Sequence, residues 1–339
     1  MMRAAFLVRE GNGAQAFEIR NTAIPEINGD EVLIKVESFG LNFADVMSRR
    51  GLYGDAPKMP CVLGYEVVGT VTKANPDNTE LLGKRVVAFT RFGGYAEFVK
   101  TPAFAVSEIG DMDAGVAASL AVQFATAYYM AVDQMNLFPG DKVLVHAAAG
   151  GVGTILVQLC KWKGCEVYAT ASSNDKLDYL KSIGADHVIN HQTEDYEKQI
   201  RLLLSGKKLK ATFNPIGGTT FKKDLRLVGA GGSVISFGGS ERTGKKWGIL
   251  STLNFVRQMG LMIPIKLVMT SKSVVGVNML KIADQDPETM KRCLLASTKL
   301  IDQNIVKPHV GGRFHIDELA KAHGFLESRN SMGKIIVNW

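Results

Sequence analysis

Three features of the chain predict an α/β protein in which a β-rich domain is followed by a doubly wound parallel sheet. Short stretches alternating apolar with polar residues fill the first ~120 residues, long helical stretches alternate with wholly apolar strands from about Ser119, and a glycine turn joins one of those strands to a helix. At 339 residues the chain has room for about two domains. They are expected at 1–122 and 123–278, with 279–339 completing the first.

The first-domain strands are expected at Glu31 to Phe39, Gly64 to Lys73, Lys84 to Thr90 and Tyr95 to Lys100, with turn residues such as Asn75-Pro76-Asp77-Asn78 between them. Met1 to Glu10 reads as an opening strand, because its apolar run is too short for a secretion signal and charges close it on both sides. The parallel strands are expected at Lys142 to Ala147, Glu166 to Ala171, Ala185 to Asn190, Ala211 to Pro215 and Gly232 to Phe237. After Lys272 to Val277 come helical stretches over Pro287 to Gln303 and Phe314 to Asn330 and a closing strand, Lys334 to Asn338. These are too few for a third domain and are expected to fold back onto the first.

Composition narrows the function. With 46% apolar and 22% charged residues the chain is no disordered scaffold. Forty Lys and Arg against 33 Asp and Glu give +7, but the bases are scattered. The small clusters Lys207-Lys208-Leu209-Lys210 and Lys245-Lys246 form no basic aromatic face, so nucleic acid is not an expected partner. The four cysteines form no CxxC pair, which fits a reducing compartment, the cytoplasm. Trp247 to Thr270 is dense in Leu, Ile, Met and Phe but interrupted by Arg257, Pro264 and Lys266, so it is no spanning helix. It reads as a lid, subunit interface or pocket wall, with a peripheral membrane contact through 247–270 as the alternative.

The strongest chemical signal runs from Lys142 to Gly153, where an apolar strand enters Ala148-Ala149-Gly150-Gly151-Val152-Gly153 and a helix follows, its Val152, Ile155, Leu156, Leu159 and Cys160 at helical spacing. Small residues let backbone approach a pyrophosphate, and the helix's first N–H groups stabilise its charge. A dinucleotide is therefore expected on Ala148, Gly150, Gly151, Val152 and Gly153. A site selecting NADH wants a carboxylate at the end of the next strand, to accept from the ribose 2′-hydroxyl. Ser172 and Ser173 stand there instead, with Lys176 one turn on, a set suited to a 2′-phosphate and hence to NADPH. The alternative is that either serine only caps the helix, and Asp175 would weaken the preference if turned inward.

These segments, with Gly40-Leu-Asn-Phe-Ala-Asp-Val46, Arg50-Gly-Leu-Tyr53, Gly64-Tyr-Glu-Val-Val-Gly69, Asn214-Pro-Ile-Gly-Gly218 and Val306-Lys-Pro-His309, resemble the medium-chain dehydrogenase/reductase superfamily over essentially the whole chain. The likeness is to its zinc-free quinone oxidoreductase branch and, within that, to the vesicle amine transport protein homologues. It implies a GroES-like β-barrel catalytic domain, a Rossmann domain, an active site in the cleft between them, and a homodimer formed through the Rossmann edge.

The resemblance also assigns roles. Asn42 and Tyr53 would polarise the acceptor carbonyl, Asp45 would order their loop, and Thr126 would hydrogen-bond the nicotinamide side. His191, Asn214, Gly238 and Arg329 would join the cofactor set, Arg329 at the 2′-phosphate. The plainer roles are a turn residue for Asn42, a packed aromatic for Tyr53 and helix packing for Thr126. Zinc-using relatives need a Cys between Gly40 and Asp45 and a His in a Gly-His-Glu motif. The chain has no such Cys and reads Gly64-Tyr65-Glu66, so no metal is expected. The function expected is hydride transfer from NADPH to a quinone or an α,β-unsaturated carbonyl; the alternative is an NADPH-binding, lipid-handling module.

Overall fold

In the computed structural model, which describes residues 1–242, 248–260 and 262–339, the chain divides into two compact units, residues 1–126 with 279–339, and residues 127–278. The first break falls four residues beyond the expected 122, which puts Thr126 in the first unit rather than the second. Lys245, Lys246 and Trp247 lie outside the described residues.

The first unit is built on a seven-stranded sheet in the order Val310–His315, Lys334–Asn338, Glu31–Leu41, Glu66–Ala74, Arg85–Phe89, Val106–Glu108, with Phe98–Pro102 also on Glu31–Leu41. Glu31–Leu41 serves three neighbours because register shifts at Leu33/Ile34 and Val36/Ser38 bend it. Its apolar residues Val32, Ile34, Val36 and Phe39 enter one core with Val67, Val71, Val86 and Val337. The C-terminal strand brings Ile335 opposite Leu41 and Val337 opposite Phe39. A smaller sheet joins Phe17–Thr22, Met2–Leu7 and Cys61–Val62.

The second unit holds six parallel strands in the order His187–Asn190, Glu166–Ala171, Lys142–Val145, Leu209–Asn214, Val228–Ser236, Ser273–Gly276. In chain order this is 3-2-1-4-5-6, the Rossmann arrangement, whose winding reverses between Lys142–Val145 and Leu209–Asn214. Both strands are buried along their length except at Lys142 and Lys210.

One local expectation fails. The segment expected as a helix from Phe314 to Asn330 splits into the strand Val310–His315 and the helix Leu319–Glu327; the glycines of Val-Gly-Gly-Arg-Phe-His hide the strand. The apolar stretch breaks into helices Gly248–Met259 and Pro264–Thr270, parted at Gly260 with φ +84°.

Candidate active site

Nucleotide-binding features gather at the reversal point of the parallel sheet. The strand Lys142–Val145 leaves the sheet through His146, Ala147 adopts φ +47°, and the helix Gly151–Trp162 starts after Gly150. The Ala148 N–H donates to Thr170 O at 3.0 Å, and the Gly150 N–H to Ala147 O at 2.9 Å. A Cβ on Gly153 would stand 2.5 Å from Ala147 O, so only glycine lets the helix start this close to the turn. The first N–H groups, at Gly151, Val152 and Gly153, thus open the helix with no side chain beyond Val152's among them.

Ser173 precedes the helix Asn174–Ser182 in the capping position, but its hydroxyl makes no capping bond and is not consumed by that role. Lys176 is buried, and desolvation lowers its pKa, so a bound anion would favour its charged form. Asp175 is exposed. The His191 N–H donates to Ala171 O at 3.0 Å, which sets His191 beside the serine pair.

Asn214 requires a correction. Its Nδ2 donates to Thr220 Oγ1 at 2.9 Å and to Asp224 Oδ2 at 2.7 Å, and its Oδ1 accepts from the N–H groups of Ile216 and Gly217 at 2.8 and 2.9 Å. The amide is spent on holding its own loop, so a cofactor would meet that loop's backbone rather than the Asn214 side chain. Gly238 packs against Pro215 O of the same loop. Arg329 belongs to the first unit, at an exposed left-handed position after the helix Leu319–Glu327.

In the first unit, Asn42 ends the strand Glu31–Leu41 and starts the helix Phe43–Arg49. Its Nδ2 donates to Glu66 Oε1 at 2.7 Å, and its Oδ1 accepts from Gln123 Nε2 at 3.3 Å and Lys334 Nζ at 3.4 Å. Lys334 has only protons to offer and ionised Glu66 only lone pairs, so this pair dictates which way the amide faces. Lys334 Nζ also donates to Glu66 Oε1, and Glu66 Oε2 accepts from the Val122 N–H at 2.9 Å. Both Lys334 and Glu66 are buried; burial lowers the lysine pKa while the Glu66 charge opposes that shift. Gly40 makes room, since a Cβ there would lie 2.4 Å from Lys334 Cε and 2.5 Å from Glu66 Oε1. With the Asn42 oxygen occupied and one N–H on Glu66, the second N–H is its remaining hydrogen-bonding capacity.

Asp45, expected to order the loop, is fully buried, and its Oδ2 accepts from the Asn42 N–H at 2.8 Å across the first turn of the helix. It orders the loop. Burial raises its pKa to about 7, opposed by the Asn42 N–H, the Lys334 charge and the Tyr95 hydroxyl. Tyr53 packs edge-on against Tyr65, with ring centres 6.1 Å apart, and Tyr65 against Phe92 at 5.2 Å. Burial, then the charges of Asp55 and Asp45, push Tyr53 up to about 12, so its hydroxyl keeps its proton and remains a donor at neutral pH. The Thr126 hydroxyl donates to Val122 O at 2.6 Å, the helix-packing role, while its oxygen can still accept. Widened π-type turns at Leu120–Phe124 and Tyr129–Asp133 flank it, a distortion frequent at functional sites.

Among the described residues no group of three or more His, Cys, Asp or Glu side chains is placed to hold a metal ion. A divalent ion at Glu66 would have to displace the Lys334 ammonium. The sequence reading missed Gln123 and Lys334; the available signal was a lysine heading an otherwise apolar closing strand.

Comparison with known proteins agrees with this architecture. Residues 28–118 match the alcohol dehydrogenase GroES-like domain, and residues 151–296 the family described as zinc-binding dehydrogenase. The chain is 33% identical to the zebrafish synaptic vesicle membrane protein VAT-1 homolog over 92% of its length, spanning 65% of that protein, and 30% identical to the human one over 94%, spanning 81%. Among solved structures, a mycobacterial protein complexed with NADPH superposes with a TM-score of 0.86 at 29% identity, with both chains covered in full. A Pseudomonas syringae quinone oxidoreductase superposes at 0.85 and 26%, again over both whole chains. The chain belongs to the medium-chain dehydrogenase/reductase family, in the group related to VAT-1.

Proposed function

We propose that the chain is an NADPH-dependent, metal-independent reductase acting on a quinone or an α,β-unsaturated carbonyl. The observation that carries this reading is the buried Asn42 amide of the first unit, whose orientation Lys334 and Glu66 fix so that one N–H is left to donate; the Tyr53 hydroxyl is taken as the second donor. Bound NADPH would supply the hydride. The residues fitted to hold it are the turn Ala148 to Gly153, the loop Asn214–Gly218, and Ser172, Ser173 and Lys176 at the 2′-phosphate. The relative solved with NADPH supports the choice of nucleotide.

Asn42 and Tyr53 donate hydrogen bonds to the oxygen on which negative charge grows as hydride arrives. One preorganised donor of this kind contributes on the order of 2.7 to 4 kcal/mol. The overall change balances as acceptor, NADPH and one proton giving reduced acceptor and NADP+, the proton coming from water. The reading is tested by following NADPH oxidation at its absorbance band against naphthoquinones and enones, in parallel with NADH. Turnover preferring NADPH is expected, and nucleotide binding without turnover of any acceptor would defeat it.

One observation favours a second reading. Leu253, Val256, Ile263, Ile265, Val268 and Met269 are exposed, and between Glu241 and Asp284 the chain carries several Lys and Arg but no acidic residue. This pattern suits an anionic lipid surface, and cosedimentation with phosphatidylserine vesicles that deletion of 248–270 abolishes is the result it requires. On either reading we propose a homodimer through the open edge strand Ser273–Gly276.

A further inference from the structure

Asp224, on the helix Thr219–Leu227, is fully buried and takes no part in the chemistry above. Its Oδ1 accepts from His146 Nε2 at 2.9 Å and from the Tyr196 hydroxyl at 3.1 Å. Its Oδ2 accepts from Asn214 Nδ2 at 2.7 Å and lies 3.1 Å from His146 Nε2. A carboxylate brings no proton, so every partner must supply one. That requirement puts a hydrogen on His146 Nε2 and turns the Asn214 nitrogen toward Asp224, leaving the Asn214 oxygen to hold the Ile216 and Gly217 N–H groups. The other imidazole nitrogen, His146 Nδ1, meets Thr170 Oγ1 at 3.3 Å.

The location gives this hub its meaning. His146 is the last residue before the glycine turn, and Asn214 ends the adjoining strand. The two strands pair through Val145 and Phe213, and the His146 N–H donates to Phe213 O at 3.0 Å. This is the point where the winding of the sheet reverses, outside whose strand ends ligands bind in such folds. Asp224 therefore ties together, from below, the two segments that would touch the nucleotide's pyrophosphate and nicotinamide half. The 2′-phosphate residues Ser172, Ser173 and Lys176 make none of the contacts given to Asp224.

We propose that Asp224 is a positioning residue for the nucleotide, fixing the glycine turn against the Asn214–Gly218 loop through His146 and Asn214. The proposal rests on NADPH binding in the second unit. Asp224→Asn puts an amide nitrogen where one of three donors now bonds, leaves a buried partner unmatched, and loosens the hold of the glycine turn on the Asn214–Gly218 loop. The test is calorimetric titration of NADPH and of adenosine 2′,5′-bisphosphate into native protein, Asp224→Asn, and the exchanged double variant Asn214→Asp with Asp224→Asn. The exchange restores one carboxylate and one amide across the same contact.

The expected result is that Asp224→Asn weakens NADPH about tenfold or more, keeps the bisphosphate within about threefold, and is rescued by the exchange. Unchanged NADPH affinity, or parallel loss of both ligands, would overturn the proposal in favour of a purely stabilising role. If Asp224→Asn does not fold, the exchanged variant decides, with native-like NADPH affinity expected and weakened affinity in a folded protein overturning the idea. Native protein that ignores NADPH removes the functional reading itself, an outcome seen before any variant is made.

Discussion

Glu66 in the first unit and Asp224 in the second are buried carboxylates that each gather several donors, and the two are satisfied by different means. Glu66 is met by the Lys334 ammonium, an amide and a backbone N–H, whereas Asp224 is met by an imidazole, a phenol and an amide. Pairing a buried charge with a buried charge makes each partner dependent on the other, because removing one strands its mate in a low dielectric. Spreading a carboxylate over three dipolar donors makes it a director of orientation, with each contact replaceable in part. The first arrangement is brittle, the second adjustable.

The largest expected effect breaks the brittle pair. Lys334→Met should cost about 3 to 5 kcal/mol in denaturant unfolding by leaving Glu66 alone, and the double variant with Glu66→Gln should recover most of it. Equal stability of the single and double variants would mean that the pair is not coupled as described. Next come the donors. Asn42→Ala should slow turnover on the order of 100-fold and Tyr53→Phe by less, with NADPH affinity retained in both. Steady-state rates for the two variants equal to the native rate would remove these residues from the reaction. A smaller effect belongs to the second unit, where Ser173→Asp sets a carboxylate beside the 2′-phosphate position and should cut the preference for NADPH over NADH about tenfold.

A pH effect sharpens the picture of the first unit's interior. Burial raises Asp45 to about 7 in the fold, above its ordinary 3.8, so its contribution is fully present at low pH and is lost as pH rises toward about 7. Burial, with the Arg49 charge, lowers His323 to about 3 from 6.5, so its contribution is present above 6.5 and is lost as pH falls toward about 3. Over roughly pH 4 to 6.5 the two slopes oppose each other. Asp45→Asn should therefore steepen the loss of stability on acidification, and His323→Gln should reverse its direction, read as urea midpoints across that range. Parallel profiles for both variants would contradict the opposition.

Much of the fold was legible because its signals are local. The glycine turn, the apolar parallel strands and the serine pair are each contained within a dozen or so residues, so periodicity and turn chemistry reveal them. The two carboxylate hubs were not, because their partners are remote in sequence. Lys334 reaches Glu66 across 268 positions, and His146 reaches Asp224 across 78. Asn214 was hidden for a different reason. Its partners lie within ten positions, but only the packing of the helix Thr219–Leu227 under the strand end turns Asp224 and Thr220 onto its side chain, and no local periodicity shows that orientation.

Nucleotide and organic donors are proposed to suffice without a metal. NADPH-dependent reduction of a naphthoquinone is therefore measured after exhaustive dialysis against a strong chelator, with metal content determined on the same sample. An undiminished rate is expected in metal-free protein, and a slower one with NADH. Activity that disappears on dialysis and returns with one equivalent of zinc would contradict it.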